Sequence, residues 1–260
     1  MPQVSSEPVH LTRERGWNIA REAGIIAIAV FLYFYVRGLV DARRNVAIAH
    51  SHDIVDIEKT LGIFHEPALQ GYFTGHEWVV EIINSVYIYG HWPIVIGTLI
   101  WLVLKHPTEY SRYRNALLIS GGIGLIIFAT FPVAPPRFLP EYGFWDSVTA
   151  ESNAYRVLQP PALTNPYAAM PSLHFGWNLL IGIAWFRLAR LPAGKIFGVV
   201  MPLLMFAAII LTANHYFLDG FAGGFLATFG LFVASRLHHR RKAPVPEPEE
   251  DTVAHSPSPT

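Results

Sequence analysis

The stretch NPYAAMPSLHFGW, residues 165–177, sets a proline, a serine and a histidine directly ahead of a long apolar run. From Leu173 the run reads as the start of a membrane helix. An ionisable group at membrane depth is costly, and it is usually paired or used. What the rest of the chain offers His174 therefore decides both the fold and the chemistry.

Of the 260 residues, 52% are hydrophobic and 15% charged, which is too apolar for an ordinary soluble domain of this length. There is no cysteine, so disulfides, thiolate zinc sites and a cysteine nucleophile are excluded. Net charge is zero with histidines neutral, so no basic excess points to nucleic acid.

Several segments are long enough to cross a bilayer, which takes about 20 mostly apolar residues. They run over Ala20–Val40, Trp78–Leu104, Ala116–Phe131, Leu173–Phe186, Ile196–Leu211 and Phe217–Ala234. The second is interrupted by Pro93, which a membrane helix tolerates as a kink, or it divides into an interfacial helix and a shorter span. The expected fold is all-α: a polytopic membrane protein with a six-transmembrane-helix core. Residues 1–18 form a cytoplasmic segment, 19–236 the membrane domain, and 237–260 a disordered cytoplasmic tail rich in Pro, Glu and Ser. The first span lacks the small-residue cleavage site of a signal peptide.

Orientation follows from Lys and Arg. With the N-terminus cytoplasmic, 13 of the 19 basic side chains fall inside and 6 outside. Both termini are then cytoplasmic, and the loops 41–77, 132–171 and 212–216 are extracytoplasmic.

That topology gathers a polar constellation on one side. His174 opens the fourth span, Arg137 lies in FPVAPPRFLP (131–140), and the sixth span begins TANHYFLDG (212–220). His215 and Asp219 are four apart and share a helix face. A carboxylate beside one imidazole nitrogen fixes the tautomer and leaves the other as a lone-pair nucleophile. His174 suits proton donation to a leaving oxygen, because its ordinary titration range lies near neutrality. The planar fork of Arg137 suits phosphate. Together these groups fit phosphoryl transfer through a phosphohistidine, with no metal or other cofactor required. Each has a plainer reading alone: His174 as an interfacial or packing residue, and His215 with Asp219 as a structural helix pair. A dinuclear metal site has few ligands here.

The same residues resemble a known family. PSLH at 171–174 and the His-x-x-x-Asp of HYFLD at 215–219 resemble the second and third motifs of the type-2 phosphatidic acid phosphatase superfamily. The wider phrases FPVAPPR, AAMPSLHFGW and HYFLDGFAGG are most similar to its inositol-phosphorylceramide-synthase-like (inositolphosphotransferase) branch. The resemblance implies an integral membrane lipid phosphatase or phosphotransferase. His215 is then the nucleophile, Asp219 its support and His174 the acid, later the base. Ser172 and the backbone N–H groups at the start of the fourth span bind phosphate oxygens, and Arg137 matches the arginine of the first motif. The implied partners are a lipid phosphate substrate, a lipid or sugar hydroxyl acceptor, and the membrane. The rival from another class is a transporter or scaffold in which the His and Asp residues form a structural relay.

Two usual phosphate-binding cations are replaced, by Thr130 in the first motif and Ile209 in the third. Arg37, at the outer end of the first span, is a candidate substitute; its plainer role is snorkelling to the headgroups. His50, His52, His65, Asp53, Asp56 and Glu58 in the first outer loop read as a solvated or interfacial face around the amphipathic IVDIEKTLGIF. His91, Glu81 and Asn84 line a cleft or join helices, the latter being the default.

Overall fold

Proline starts several of the helices in this chain, where its missing N–H costs nothing. The computed structural model describes residues 43–73, 75–146 and 167–242, with part of the segment 21–35, whose described residues are helical. The helices with defined bounds are α1 (Arg44–Leu61), α2 (Glu66–Phe73), α3 (Glu77–Tyr89), α4 (Trp92–Lys105), α5 (Pro107–Thr130), α6 (Leu173–Leu188), α7 (Pro192–Leu211) and α8 (Phe217–Lys242). Two 3-10 turns, Pro136–Phe138 and Pro140–Tyr142, follow α5. Among the described residues there is no strand, only an isolated bridge between Val133 and Ala168.

Among the described residues, three helices are long and apolar enough to cross a membrane: α5, α7 and the Phe217–His238 part of α8. The pair α3 and α4, bent by 45°, makes a fourth candidate. The expected kink at Pro93 is in fact a break one turn earlier, at Gly90 and His91, with Pro93 in the first turn of α4. A Cβ on Gly90 would stand 2.2 Å from the Val86 carbonyl oxygen, which is backbone, and 2.5 Å from Met201 Cε of α7, so the position suits glycine. Helix α6 has only 16 residues, about 24 Å of rise, short of a full crossing. Helix α8 continues past residue 236 to Lys242. Most of the first expected span, including Arg37, and residues 243–260 lie outside the described residues.

Helices α6, α7 and α8 pack through missing side chains, as membrane helices commonly do. A Cβ on Gly182 of α6 would lie 2.4 Å from the Gly198 carbonyl of α7. A Cβ on Gly176 would lie 2.5 Å from the Gly223 carbonyl of α8. Away from the loops, Leu102, Ala116, Leu180, Ala184 and Ala234 form one buried cluster. At the loop end a second cluster joins Val55 of α1 to Val133, Leu139, Phe144 and Tyr216. Thus α1 belongs to the core by one face, rather than lying wholly as an amphipathic surface helix.

Candidate active site

The residues expected to carry the chemistry lie in or beside three loop segments, 131–140, 167–172 and 212–216, and backbone hydrogen bonds gather these at one end of the bundle. Val133 N–H donates to the Tyr167 carbonyl (3.0 Å) and Ala169 N–H to the Val133 carbonyl (3.1 Å). Arg137 N–H donates to the Ala213 carbonyl (3.0 Å), and Ser172 N–H to the Asp219 carbonyl (2.9 Å). The first loop is thereby tied to both others, and the second to the first turn of α8.

His215 is 5% exposed, in the turn that leads into α8. Its Nδ1 lies 2.7 Å from the Ala169 carbonyl oxygen and 3.4 Å from Asp219 Oδ2. A carbonyl only accepts, so Nδ1 carries the proton and Nε2 keeps the lone pair. Asp219 is wholly buried and its Oδ2 accepts the Tyr216 N–H at 3.0 Å. The sequence reading gave the tautomer to Asp219 alone; Ala169 shares that task, and no side-chain signal announces a backbone carbonyl.

His174 stands in the first turn of α6, its ring centroid 5.9 Å from that of His215. Its ring stacks on Tyr87 at 4.8 Å and meets His91 at 4.3 Å. Its Nε2 is buried with no hydrogen-bond partner among the described residues. His91, at the break between α3 and α4, holds its Nδ1 3.3 Å from Asn178 Nδ2. His91 and Tyr87 therefore wall the site; for His91 this is the cleft-lining alternative rather than the default of helix joining, and Tyr87 carried no signal in the sequence.

Ser172 is the N-cap of α6: its hydroxyl oxygen accepts the Phe175 N–H at 3.4 Å, leaving its own O–H to donate. Leu173 and His174 have no carbonyl four residues earlier within the helix, so their N–H groups stand open at its positive end. Arg137 is anchored to the 212–216 loop. Its Nη1 bonds to Asn214 Oδ1, its Nε lies 3.9 Å from Asp146, and its guanidinium lies over the Phe138 ring.

Thr130 is exposed and donates to its own helix, at the Ile126 carbonyl (2.8 Å). Ile209 is buried in the core. Neither side chain offers a positive charge, but Arg43 places Nη1 2.6 Å from the Ala129 carbonyl, beside Thr130. Among the described residues no three His, Asp or Glu side chains converge as metal ligands. A groove of about 690 Å³ opens on the bundle flank between α3, α4 and α7, lined by Trp78, Glu81, Ser85, Tyr89, Ile94 and Met201.

A family model described as the PAP2 superfamily matches residues 52–233, a range that spans all three loops and both histidines. The chain belongs to the PAP2 superfamily. It is also similar to a phosphoinositol dihydroceramide synthase of Bacteroides thetaiotaomicron, 25% identical over 182 residues. That match covers 61% of this chain and 57% of the relative, so the chain spans a little over half the relative's length. No solved structure matches. The superfamily resemblance drawn from PSLH and HYFLD is thus shown, and the similarity to a synthase supports the branch drawn from the wider phrases.

Proposed function

We propose that this protein is an integral membrane lipid phosphatase or phosphotransferase working through a phosphohistidine on His215. The observation that carries the reading is the His215 Nδ1 contact with the Ala169 carbonyl at 2.7 Å, which leaves Nε2 as the nucleophile. The Nε2 lone pair attacks phosphorus and the ester P–O bond breaks. His174 gives its proton to the leaving oxygen. Neutral His174 then takes a proton from water or an acceptor hydroxyl, whose oxygen attacks phosphorus as the P–N bond breaks. Asp219 stabilises the cationic imidazole. Arg137, Ser172 and the first N–H groups of α6 hold the phosphate oxygens, with Arg37 a further candidate.

The substrate is an amphiphilic phosphate ester that reaches the site from the bilayer, its chains along the flank groove. The site faces the extracytoplasmic side of a six-helix membrane core, with both termini cytoplasmic. Transfer of inositol phosphate to a lipid hydroxyl is the finer reading. The name of the Bacteroides relative supports it, as do Thr130 and Ile209 in place of the two usual cations.

The test is the purified protein with radiolabelled phosphatidic acid and phosphatidylinositol, each with and without a ceramide acceptor. Label released as water-soluble phosphate marks a phosphatase; label moved to the ceramide marks a transferase. A His215→Asn protein that turns over like wild type sinks the mechanism.

A further inference from the structure

Helix α8 begins with three successive backbone N–H groups, and each goes to a different carboxyl group. Tyr216 N–H donates to Asp219 Oδ2 (3.0 Å), Phe217 N–H to Glu66 Oε1 (3.0 Å) and Leu218 N–H to Glu58 Oε1 (2.8 Å). Glu58 and Glu66 come from α1 and α2, joined by the turn at Gly62, and both are 0% exposed. The solvated face expected for Glu58 is therefore wrong for that residue; only its helix neighbours on other faces reach solvent.

We propose that Glu58 and Glu66 are positioning residues for phosphoryl transfer: as a hydrogen-bonded carboxyl pair they cap the start of α8 and so fix where His215 and Asp219 stand. This rests on the function proposed above. The first N–H groups of any helix lack internal partners and carry its positive end. Usually one side chain meets one of them. Here the helix start is clamped from α1 and α2 together, immediately after the nucleophile. The positive end of α8 is consumed by protein carboxyls, which leaves phosphate to the start of α6.

The second oxygens, Glu58 Oε2 and Glu66 Oε2, are buried and no N–H or O–H donor of a described residue reaches them. Glu66 is the neighbouring side chain that acts on the Glu58 carboxyl. One proton between them satisfies both oxygens, whereas two buried carboxylates side by side would repel. Burial first, then the neighbouring Glu66, pushes the Glu58 carboxyl up to about 9. The other ionisable groups facing it are Asp219 and Tyr216, at the start of α8, and neither brings positive charge.

The folded state thus keeps a proton that the unfolded chain releases at the ordinary value of 4.5. The stabilisation is full below that value and is lost as pH rises towards about 9. Across this window the folding equilibrium constant falls by up to about tenfold per pH unit on account of this group.

The full-length protein in lipid nanodiscs tests the pair through Glu58→Gln, Glu66→Gln and Glu58→Leu. Melting temperature is followed from acid to alkaline pH, and kcat and KM are measured on phosphatidic acid. Gln keeps an oxygen for the Leu218 N–H and supplies N–H where the shared proton was. Glu58→Gln should therefore flatten the alkaline loss of melting temperature and keep most of the turnover that Glu58→Leu loses. Glu58→Leu should lose kcat by about 100-fold, with KM moved far less, because His215 is displaced and not removed. A pH–melting slope in Glu58→Gln equal to wild type overturns the shared-proton pair. Wild-type kcat in Glu58→Leu overturns the positioning role. If wild type itself turns over no lipid phosphate, the proposed function falls, and the melting series alone decides the pair.

Discussion

The Ala169 carbonyl oxygen lies closer to His215 Nδ1 (2.7 Å) than the Asp219 carboxylate does (3.4 Å). The tautomer of His215 is therefore held by backbone as well as by carboxylate. A backbone partner survives any substitution of side chains.

Asp219→Asn should for that reason lose activity by about 10- to 100-fold, less than where the carboxylate alone holds the imidazole. His215→Asn should lose all covalent turnover. Initial rates on a lipid phosphate compare the two. Equal losses in both would show that Ala169 contributes nothing to the tautomer.

Arg137→Lys should lose about 100-fold in kcat/KM, because an ammonium cannot make a two-pronged contact with Asn214 on one side and phosphate on the other. The control is Arg236→Lys near the far end of α8, where the guanidinium lies over Phe232. Steady-state kinetics of both variants decide it. If Arg137→Lys matches the control, the phosphate is held elsewhere, and Arg43 beside Thr130 is the next residue to change.

Turnover should persist in a metal chelator, since arginine and helix N–H groups meet the phosphate charge in this mechanism. Activity abolished by chelator and restored by magnesium would reverse the reading.

Gly223→Ala should destabilise the protein by about 1–3 kcal/mol through overpacking. The new Cβ would stand 2.1 Å from the Ser172 carbonyl oxygen, which is backbone and cannot swing aside. Thermal unfolding in detergent measures the loss. Gly122→Ala, where nothing lies within 4 Å of the added methyl, should melt like wild type.

The legible part of this site is the part carried by short spacing. PSLH names a helix start, and His215 with Asp219 names a helix face, so both could be found within a few residues. Glu58 and Glu66 could not. Their partners are Leu218 and Phe217, 160 and 151 residues away, and nothing in IVDIEKTLGIF distinguishes a carboxylate turned to water from one turned to a helix end. The break at His91 was misplaced to Pro93 for a similar reason. Proline is a visible punctuation mark, but the crowding at Gly90, by the Val86 carbonyl and by Met201 of α7, appears only in the fold. Ala169 was invisible because its contribution is a carbonyl, which every residue has.

The threads that join these loops to one another and to α8 run from main chain to main chain: Val133 to Tyr167 and Ala169, Arg137 to Ala213, Ser172 to Asp219. Amide and carbonyl are common to nearly all residue types, so this scaffold is largely blind to mutation of the side chains along it. The flank groove differs: Trp78, Tyr89 and Met201 are among the residues that line it, and a change of such side chains changes its shape. Substitution can therefore remodel the groove while leaving the distance between His174 and His215 untouched. On the proposed function, such change at the flank alters the lipid taken and leaves the two histidines as they stand.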